Sequence, residues 1–276
     1  MEQCVLQRIH SFDECRDFVW GFYGDPVFSD PMLANEEQLK CNLLKAMDEP
    51  EHHAVLGVFR NSQLTGLFAF LILKEERYLE MLVGLSRDQE AYAAVFRYLQ
   101  QHYSSYDADF VFNPNHALLR GILREKGAAF ETEQQKMVLA HPVSAGDTDG
   151  VELLTEQYKE QYFAMHNTDL YWTGEKVAAA AEKFRVYLAI HDGVVVGYLD
   201  VTCCFEENEP FDLLVREEYR RRGYGRKLLA RAVEMNKPNG MMLLVDVDNH
   251  AAIRLYESMG FEKAENQNSL TAHWKI

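Results

Sequence analysis

The sequence lacks any uninterrupted apolar run of the roughly 18 residues that a membrane-spanning helix needs. Its first residues, Met1 to Cys4, do not resemble a secretory signal peptide. The five cysteines show no C-x-x-C spacing, and the ten histidines show no H-E-x-x-H motif. These absences argue against a membrane protein, a disulfide scaffold and a metal site, so we expect a cytoplasmic protein with reduced thiols and no metal.

Positive charge is scarce, since 28 Lys and Arg stand against 43 Asp and Glu, for a net charge of −15. So acidic a chain is a poor candidate for binding nucleic acid or an anionic membrane. One window of the sequence is an exception and holds seven of the 28 cations: Arg216, Arg220, Arg221, Arg222, Arg226, Lys227 and Arg231. This concentration suits a single compact anion better than a polymer.

A chain of 276 residues with 47% hydrophobic residues is globular in composition and suits two domains of roughly 100–150 residues each. The segment from His141 to Gly150 is small, polar and rich in turn residues, which is typical of a linker. Helical, strand and hairpin patterns occur in mixed order on both sides of it, and this predicts an α/β (α+β) fold with mixed sheets. We therefore predict one domain over residues 1–142 and a second over residues 143–276.

A weak internal repeat relates the two halves. Three short matches occur at offsets near 132 residues: Asn115-His116-Ala117 with Asn249-His250-Ala251, Gly66 with Gly197, and Leu82-Val83 with Leu214-Val215. Offsets this similar favour duplication over chance, and they predict a tandem repeat of one fold.

The most informative segment runs from Leu213 to Leu229, where a strand, a short loop and a helix are predicted in succession. The loop ends in Gly223-Tyr224-Gly225, so two glycines would open the helix without bulky side chains. A helix N-terminus offers unpaired N–H groups and a positive dipole to an anion. The pattern therefore indicates a phosphate site, although a tight turn with a solvated arginine face is the plain alternative.

The run Arg220-x-x-Gly223-x-Gly225 after a strand resembles the acyl-CoA pyrophosphate loop of the GCN5-related N-acetyltransferase (GNAT) superfamily. Downstream, the segment from Val245 to Phe261 resembles the family block V-x-x-x-N-x-x-A-x-x-L-Y-x-x-x-G-F. The resemblance covers roughly residues 151–276 and implies a mixed sheet whose splayed strand pair holds acetyl-CoA. It implies these cofactor contacts: Leu213, Leu214 and Val215 to the pantetheine arm; Arg220, Arg221, Arg222, Gly223, Tyr224, Gly225 and Arg226 to the pyrophosphate; and Asn249 to the thiol end.

The resemblance also implies that Tyr256 is the general acid, since a phenol can protonate a departing thiolate without being ionised at pH 7. Packing in the helical core is the alternative for this residue. A carboxylate near the preceding strand is needed as general base, and we slightly prefer Glu209. Asp212 is its rival and, in a regular strand, would lie on the other face.

The first half lacks the chemistry of the second. At the repeat offset, Asp88 falls opposite Arg220, Ala91 opposite Gly223, and Ile122 in place of the tyrosine. A carboxylate at the phosphate position would repel a pyrophosphate. The first domain is therefore expected to be a degenerate copy without CoA.

The connection between the first two helices of the second half holds Asp169, Tyr171 and Trp172, which suit a cationic acceptor, with a helix cap and buried aromatics as an equal alternative. We expect an N-acetyltransferase that moves the acetyl group of acetyl-CoA to a primary amine of a small molecule by direct attack. A protein or peptide acceptor, or a CoA-binding sensor without turnover, are the alternatives. The partners are then a small amine and, as a candidate assembly, a second copy of the chain.

Overall fold

The computed structural model describes residues 4–28, 36–141, 146–166, 168 and 172–276. The chain divides into two compact units. The first unit is Met1–Gln135 with Glu265–Ile276, and the second is Lys136–Ala264.

Both units mix helices with strands, as the sequence predicts. The helices of the described residues are α1 (Arg16–Trp20), α2 (Glu36–Asp48), α3 (Gln89–His102), α4 (Ala117–Glu125), α5 (Lys159–Met165), α6 (Gly174–Ala179), α7 (Tyr224–Asn236) and α8 (His250–Ser258). The strands are β1 (Val5–Arg8), β2 (His53–Arg60), β3 (Gln63–Leu73), β4 (Tyr78–Leu85), β5 (Asp107–Phe112), β6 (Ala129–Phe130), β7 (Gln134–Leu139), β8 (Val151–Leu153), β9 (Phe184–His191), β10 (Val194–Thr202), β11 (Glu207–Asn208), β12 (Pro210–Val215), β13 (Gly240–Asp246), β14 (Phe261–Lys263) and β15 (Leu270–Lys275). The predicted α/β class is thus confirmed.

The first unit is built on one seven-stranded sheet in the order β1-β2-β3-β4-β5-β15-β6. Apolar residues of β2, β3 and β5 pack against α3 and α4 on one face, where Phe96, Phe110 and Trp274 are buried together. The other face packs against α2 and the N-terminal aromatic residues. The aromatic cluster near the N-terminus thus belongs to the core of this unit.

The second unit contains two four-stranded sheets, in the orders β12-β10-β9-β8 and β11-β13-β7-β14. Its main core lies among β10, β13, α7 and α8. A smaller cluster packs α5 and α6 against the opposite face of β9 and β10, around Tyr162, Tyr198 and Phe184. The strands β9 and β10 are therefore covered on both faces, which explains their continuous runs of apolar residues.

Each unit contains one strand that lies far from the others along the chain. In the first unit β15 pairs antiparallel with β5 and β6. In the second unit β7 lies between β13 and β14, and Phe261 of β14 is the partner of Leu139. Neither unit is therefore a continuous stretch of sequence. The predicted boundary between residues 142 and 143 falls outside the described residues and stays a prediction.

The two units repeat the same local features. A hairpin joins β2 to β3 and another joins β9 to β10, and each has a register shift next to a glycine, Gly66 or Gly197. The helices α4 and α8 are nine residues each and start 133 residues apart. The connections before α3 and α7 differ, since the first spans residues 86–88 and the second residues 216–223. The repeat is regular except at the loop that the sequence singled out.

Among the helices described, none combines the length and the apolar character that crossing a membrane requires.

Candidate functional site

The loop between β12 and α7 has a conformation that fits an anion. Gly223 precedes α7 with a φ of 87°, in the left-handed region, and no atom lies within 4 Å of the position that its Cβ would occupy. Among the described residues no side chain caps the first turn of α7. Its N–H groups and the positive end of its dipole therefore face an open position, which suits a phosphate.

The two glycines of the loop have different roles. A Cβ on Gly225 would meet Leu255 at 3.4 Å, which is an ordinary contact, so the fold itself tolerates a methyl group there. Gly223 instead has a backbone conformation that L-residues rarely adopt. The protein alone thus explains the glycine at 223, and close approach of a ligand remains the predicted reason for the glycine at 225.

The arginines of the loop divide into two groups. Three are exposed at the start of the helix: Arg220, Arg221 and Arg222. Arg226 instead donates from Nη1 to Oγ of Ser258 at 2.7 Å, and this contact ties the start of α7 to the end of α8. The positive charge around the helix start is therefore partly free to solvent and partly used to hold the two helices together. The pyrophosphate roles of these residues and of Tyr224 stay predictions.

The strands β12 and β13 lie together at only one end. The short strand β11 pairs in parallel with β13, Glu207 with Gly240 and Asn208 with Met241. Beyond this pair, no ladder joins β12 to β13 in the described part of the chain, and β12 is the edge strand of its sheet. The residues Leu213, Leu214 and Val215 thus border a gap between diverging strands, as the resemblance implies for the pantetheine arm.

The helix α8 carries the two residues of the second motif. Asn249 is its N-cap, and its Oδ1 accepts a hydrogen bond from the N–H of Ala252 at 3.2 Å. Tyr256 is buried one and a half turns later, with its ring 5.9 Å from that of Phe261. Burial raises the pKa of Tyr256 to about 12, and the nearby carboxylates of Asp212 and Glu209 add to the shift. The phenol is therefore protonated at neutral pH and lies close to two carboxylates.

A bulge in β12 changes which face its carboxylates share. Asp200 of β10 lies opposite Asp212, but the register then shifts by one residue around Phe211. Glu209 lies opposite Thr202, since the N–H of Thr202 donates to the carbonyl of Glu209 at 2.9 Å. Directly opposed residues point to the same face, and so do residues two apart on β10. The expectation that the two carboxylates point to opposite faces is therefore wrong, because it assumed a regular strand.

Glu209 has the electrostatic character of a base for neutral pH. Burial raises the pKa of its carboxyl to about 7, and the ammonium of Lys136 partly offsets the shift. Lys136 itself is buried on β7, with its Nζ 3.9 Å from Glu207. A carboxylate that titrates near 7 can accept a proton from an ammonium and return it to water.

A buried polar network on the same face was not identified from the sequence. Tyr162 donates its hydroxyl to both oxygens of Asp200 at 2.9 Å, and Nε2 of His166 lies 2.9 Å from Oδ2 of Asp200. The hydroxyl of Tyr198 donates to Oδ2 of Asp212 at 2.7 Å. Tyr162 and His166 are one helical turn apart on α5, so both project onto the strands. Desolvation raises the pKa of Asp200, and its bonds to His166 and Tyr162 oppose that shift.

Three ligand atoms in this network are close enough to share a cation. They belong to His166, Asp200 and Asp212 and lie within 4.8 Å of one another. No spacing motif in the sequence points to this set, since 34 residues separate His166 from Asp200. The only available signal was a charged residue, Asp200, in the middle of an otherwise apolar strand.

The predicted acceptor contacts fall in a segment that is only partly described. Asp169 and Tyr171 lie outside the described residues. Trp172 packs edge-on against Phe184 at 4.9 Å, and Nζ of Lys183 lies 4.4 Å from its ring. The acceptor role of these residues stays a prediction.

The matching position in the first unit holds an internal anion. Asp88 is the N-cap of α3, and its side chain accepts the N–H of Glu90 at 3.0 Å and pairs with Arg60 at 3.0 Å. Because the preceding loop is five residues shorter, Asp88 matches Gly223 rather than Arg220. In the same way Leu123, not Ile122, matches Tyr256. A carboxylate thus occupies the helix start where the second unit offers open N–H groups.

Comparisons with known proteins place these features in a family. Residues 182–263 match the model of the acetyltransferase (GNAT) domain. The protein named [Ribosomal protein bS18]-alanine N-acetyltransferase from Escherichia coli (strain K12) is 29% identical over 97 residues, which cover 34% of this chain and 66% of that protein. The chain therefore spans just under two thirds of the length of the curated relatives that it matches.

Solved structures match almost the whole chain. A GCN5-related N-acetyltransferase from Sphaerobacter thermophilus has a TM-score of 0.66 at 11% identity and covers 98% of this chain and 95% of its own. A tandem GNAT protein from the clavulanic acid biosynthesis pathway has a TM-score of 0.56 at 13% identity and covers 98% of both chains. At these identities the likeness shows the fold. The chain is thus a member of the GNAT superfamily, with its acetyltransferase domain at residues 182–263 within a tandem GNAT fold.

Proposed function

We propose that the second unit transfers an acetyl group from acetyl-CoA to a primary amine. One observation carries the proposal: the uncapped start of α7 behind Gly223 belongs to the same unit as a protonated phenol, Tyr256, and a carboxylate with a pKa near 7, Glu209. The first supplies an anion site for the cofactor, and the others supply an acid and a base. This combination is what aminolysis of a thioester requires.

The residues would act in a simple order. Acetyl-CoA supplies the activated acyl group when it is bound. Backbone amides along Leu213–Val215 would hold the arm and polarise the acyl carbonyl, since oriented N–H groups stabilise developing negative charge. Glu209 would take the proton from the attacking amine through water or directly. Tyr256 would donate its phenolic proton to the departing thiolate.

We infer a small-molecule amine as the acceptor and a protein N-terminus as the second candidate. The relative from Escherichia coli is named for a ribosomal protein alanine, and this favours the second candidate over a sensor without turnover. The inference of a small amine rests on the acidic character of the chain and of the residues around Tyr256. The first unit would bind no CoA, because Asp88 caps its helix and its loop is short.

The test is release of free thiol from acetyl-CoA in the presence of polyamines, aminoglycosides, amino acids and N-terminal peptides. Tyr256→Phe should lower kcat by about 100-fold or more, the contribution of a positioned general acid, while the Kd for CoA stays close to that of the unchanged protein. Tyr158→Phe removes a hydroxyl outside the site and serves as the control. A Tyr256→Phe protein that turns over at the original rate contradicts the acid assignment. No thiol release with any acceptor contradicts the function.

A further inference from the structure

The two aspartates that face each other across β10 and β12 differ in exposure. The side chain of Asp200 is 0% exposed and that of His166 is 1% exposed, whereas the side chain of Asp212 is 22% exposed. The pair therefore consists of one dry carboxylate and one that reaches solvent. A ligand from outside can meet only the second.

The network fixes one oxygen of Asp212 and leaves the other. The hydroxyl of Tyr198 donates to Oδ2 at 2.7 Å, and Nε2 of His166 lies 3.8 Å from the same atom. Among the described residues, these polar contacts of Asp212 all go to Oδ2. The carboxylate is thus held in one orientation, with Oδ1 left for a donor that the chain does not supply.

The negative charge of the pair needs a positive partner. Carboxylates directly opposite each other on one face repel, and His166 is the single potential cation within 4 Å of both in the described structure. Two oxygens of Asp200 are already bound by Tyr162, so His166 is shared between a fully bonded carboxylate and a partly bonded one. A cation delivered to Asp212 would complete the balance of charge.

The position of Asp212 relative to the reaction is given by Tyr256. Asp212 and then Glu209 are the charged groups that raise the pKa of the Tyr256 phenol. The carboxylate of Asp212 is therefore near both the proposed acid and the proposed base, on the same face of β12 as Glu209. An ammonium bound to Asp212 would lie where its proton could pass to Glu209.

We propose that Asp212 binds the ammonium of the acceptor, that it selects alkylamines which are cationic at neutral pH, and that the His166–Asp200 pair positions it. The inference rests on the proposed acetyl transfer and deepens it by naming the class of acceptor. Asp212 is a binding residue in this account. His166, Asp200 and Tyr162 act through it and touch no substrate.

The first experiment compares acceptors in the thiol-release assay. Propylamine is an ammonium ion at pH 7 and aniline is neutral, so the unchanged protein should favour propylamine. Asp212→Asn should raise the KM for propylamine about 10- to 100-fold, the loss expected for one charge-assisted hydrogen bond, and leave the KM for aniline almost unchanged. Asp192→Asn removes a carboxylate that is 91% exposed at the β9–β10 turn and is the matched control. An equal change for both amines overturns the inference and leaves the transfer reaction intact.

A second set of variants separates positioning from structural support. Asp200→Asn and His166→Gln should raise the KM for propylamine more than they lower kcat. Tyr162→Phe keeps the ring in its buried place and should give a smaller rise in KM. If Asp200→Asn does not fold, Tyr162→Phe still decides the matter. Loss of kcat at constant KM in the folded variants contradicts the positioning role.

The last measurement needs no turnover. The imidazole nitrogen resonances of His166 are followed by NMR while propylammonium chloride is added in the absence of acetyl-CoA, with sodium chloride as the control for ionic strength. The resonances should shift in the unchanged protein and not in Asp212→Asn. Shifts without any thiol release would support the ammonium site and contradict the acetyl transfer. The same response to both salts overturns the site.

Discussion

Glu209 shows how burial can convert an ordinary carboxyl group into a base for neutral pH. It has one nearby cation, the ammonium of Lys136, and this attraction only partly offsets the cost of burying its charge. A carboxylate with its usual pKa would be ionised at every physiological pH and would hold an abstracted proton poorly. The raised pKa brings the group close to the pH at which proton transfer in both directions is efficient.

The rate of the reaction should therefore depend on pH through Glu209. Below a pH of about 7 the group is protonated and cannot accept a proton, so kcat/KM for aniline, which does not titrate in this range, should rise with pH and level off above 7. Glu209→Gln should lower the plateau and remove this rise. Glu206→Gln, at an exposed residue, is the control. A rise that persists in Glu209→Gln would assign the base to another group.

Stability should depend on pH with the opposite sign. The folded state holds the proton of Glu209 more tightly than the unfolded chain does, because the pKa is raised from 4.5 to about 7. This contribution is fully present below pH 4.5, and the free energy of unfolding loses it as the pH rises towards 7. Urea titrations at pH 4.5, 6 and 8 should show a steeper decline for the unchanged protein than for Glu209→Gln.

At the residue scale, the sequence predicts well what local motifs contain. Tyr256 and Asn249 lie in one dense block, and the structure shows them on one helix, buried and capping respectively. His166 and Asp200 are brought together only by the packing of α5 on β10. No periodicity reveals such a pair, because it depends on which helix covers which strand.

At the scale of single elements, the loop before α7 is the clearest difference between the two units. Its eight residues allow the helix to start at a left-handed glycine without a side-chain cap, whereas the three-residue loop before α3 brings in Asp88 as a cap. Strand, loop and helix are consecutive in sequence, so this feature could be predicted. The bulge in β12 could not, because nothing in the local pattern marks Phe211 as the extra residue.

Gly223→Ala should weaken CoA binding through the backbone. An alanine in the left-handed region costs about 1–2 kcal/mol, and relief of that strain would turn the first N–H groups of α7 away from the anion. We expect the Kd for CoA to rise about tenfold, the ratio that roughly 1.4 kcal/mol represents, when it is measured by calorimetry.

Gly193→Ala is the matched control for this change. Gly193 also has a positive φ, 78°, with no atom within 4 Å of its Cβ position, and it lies in the β9–β10 turn. Both variants should lose similar thermal stability, but only Gly223→Ala should lose affinity. Equal affinities would show that the helix start does not bind the cofactor.

At the scale of the whole chain, the exchange of β7 and β15 decides which residues support which unit. Trp274 is buried with Phe96 and Phe110 in the first unit, whereas Phe261, thirteen residues earlier, is buried in the second. The sequence predicts both strands but not their partners, because hydrophobic periodicity identifies a strand and not its neighbour in a sheet.

Two neighbouring substitutions should therefore weaken different units. Trp274→Ala should cost about 3–5 kcal/mol, as other large aromatic truncations do, and hydrogen exchange should accelerate in β5 and β2 of the first unit. Phe261→Ala should accelerate exchange in β13 of the second unit instead. Faster exchange in the same peptides for both variants would contradict the exchange of strands.

The position of β15 also has a consequence for synthesis on the ribosome. The residues of β5 and β6 emerge early, but the strand that lies between them in the sheet emerges only after the whole of the second unit. At about 5–20 residues per second this interval is on the order of ten seconds. Until then the nascent first unit has a gap in its sheet, so its N-terminal position in the chain does not allow it to finish folding first.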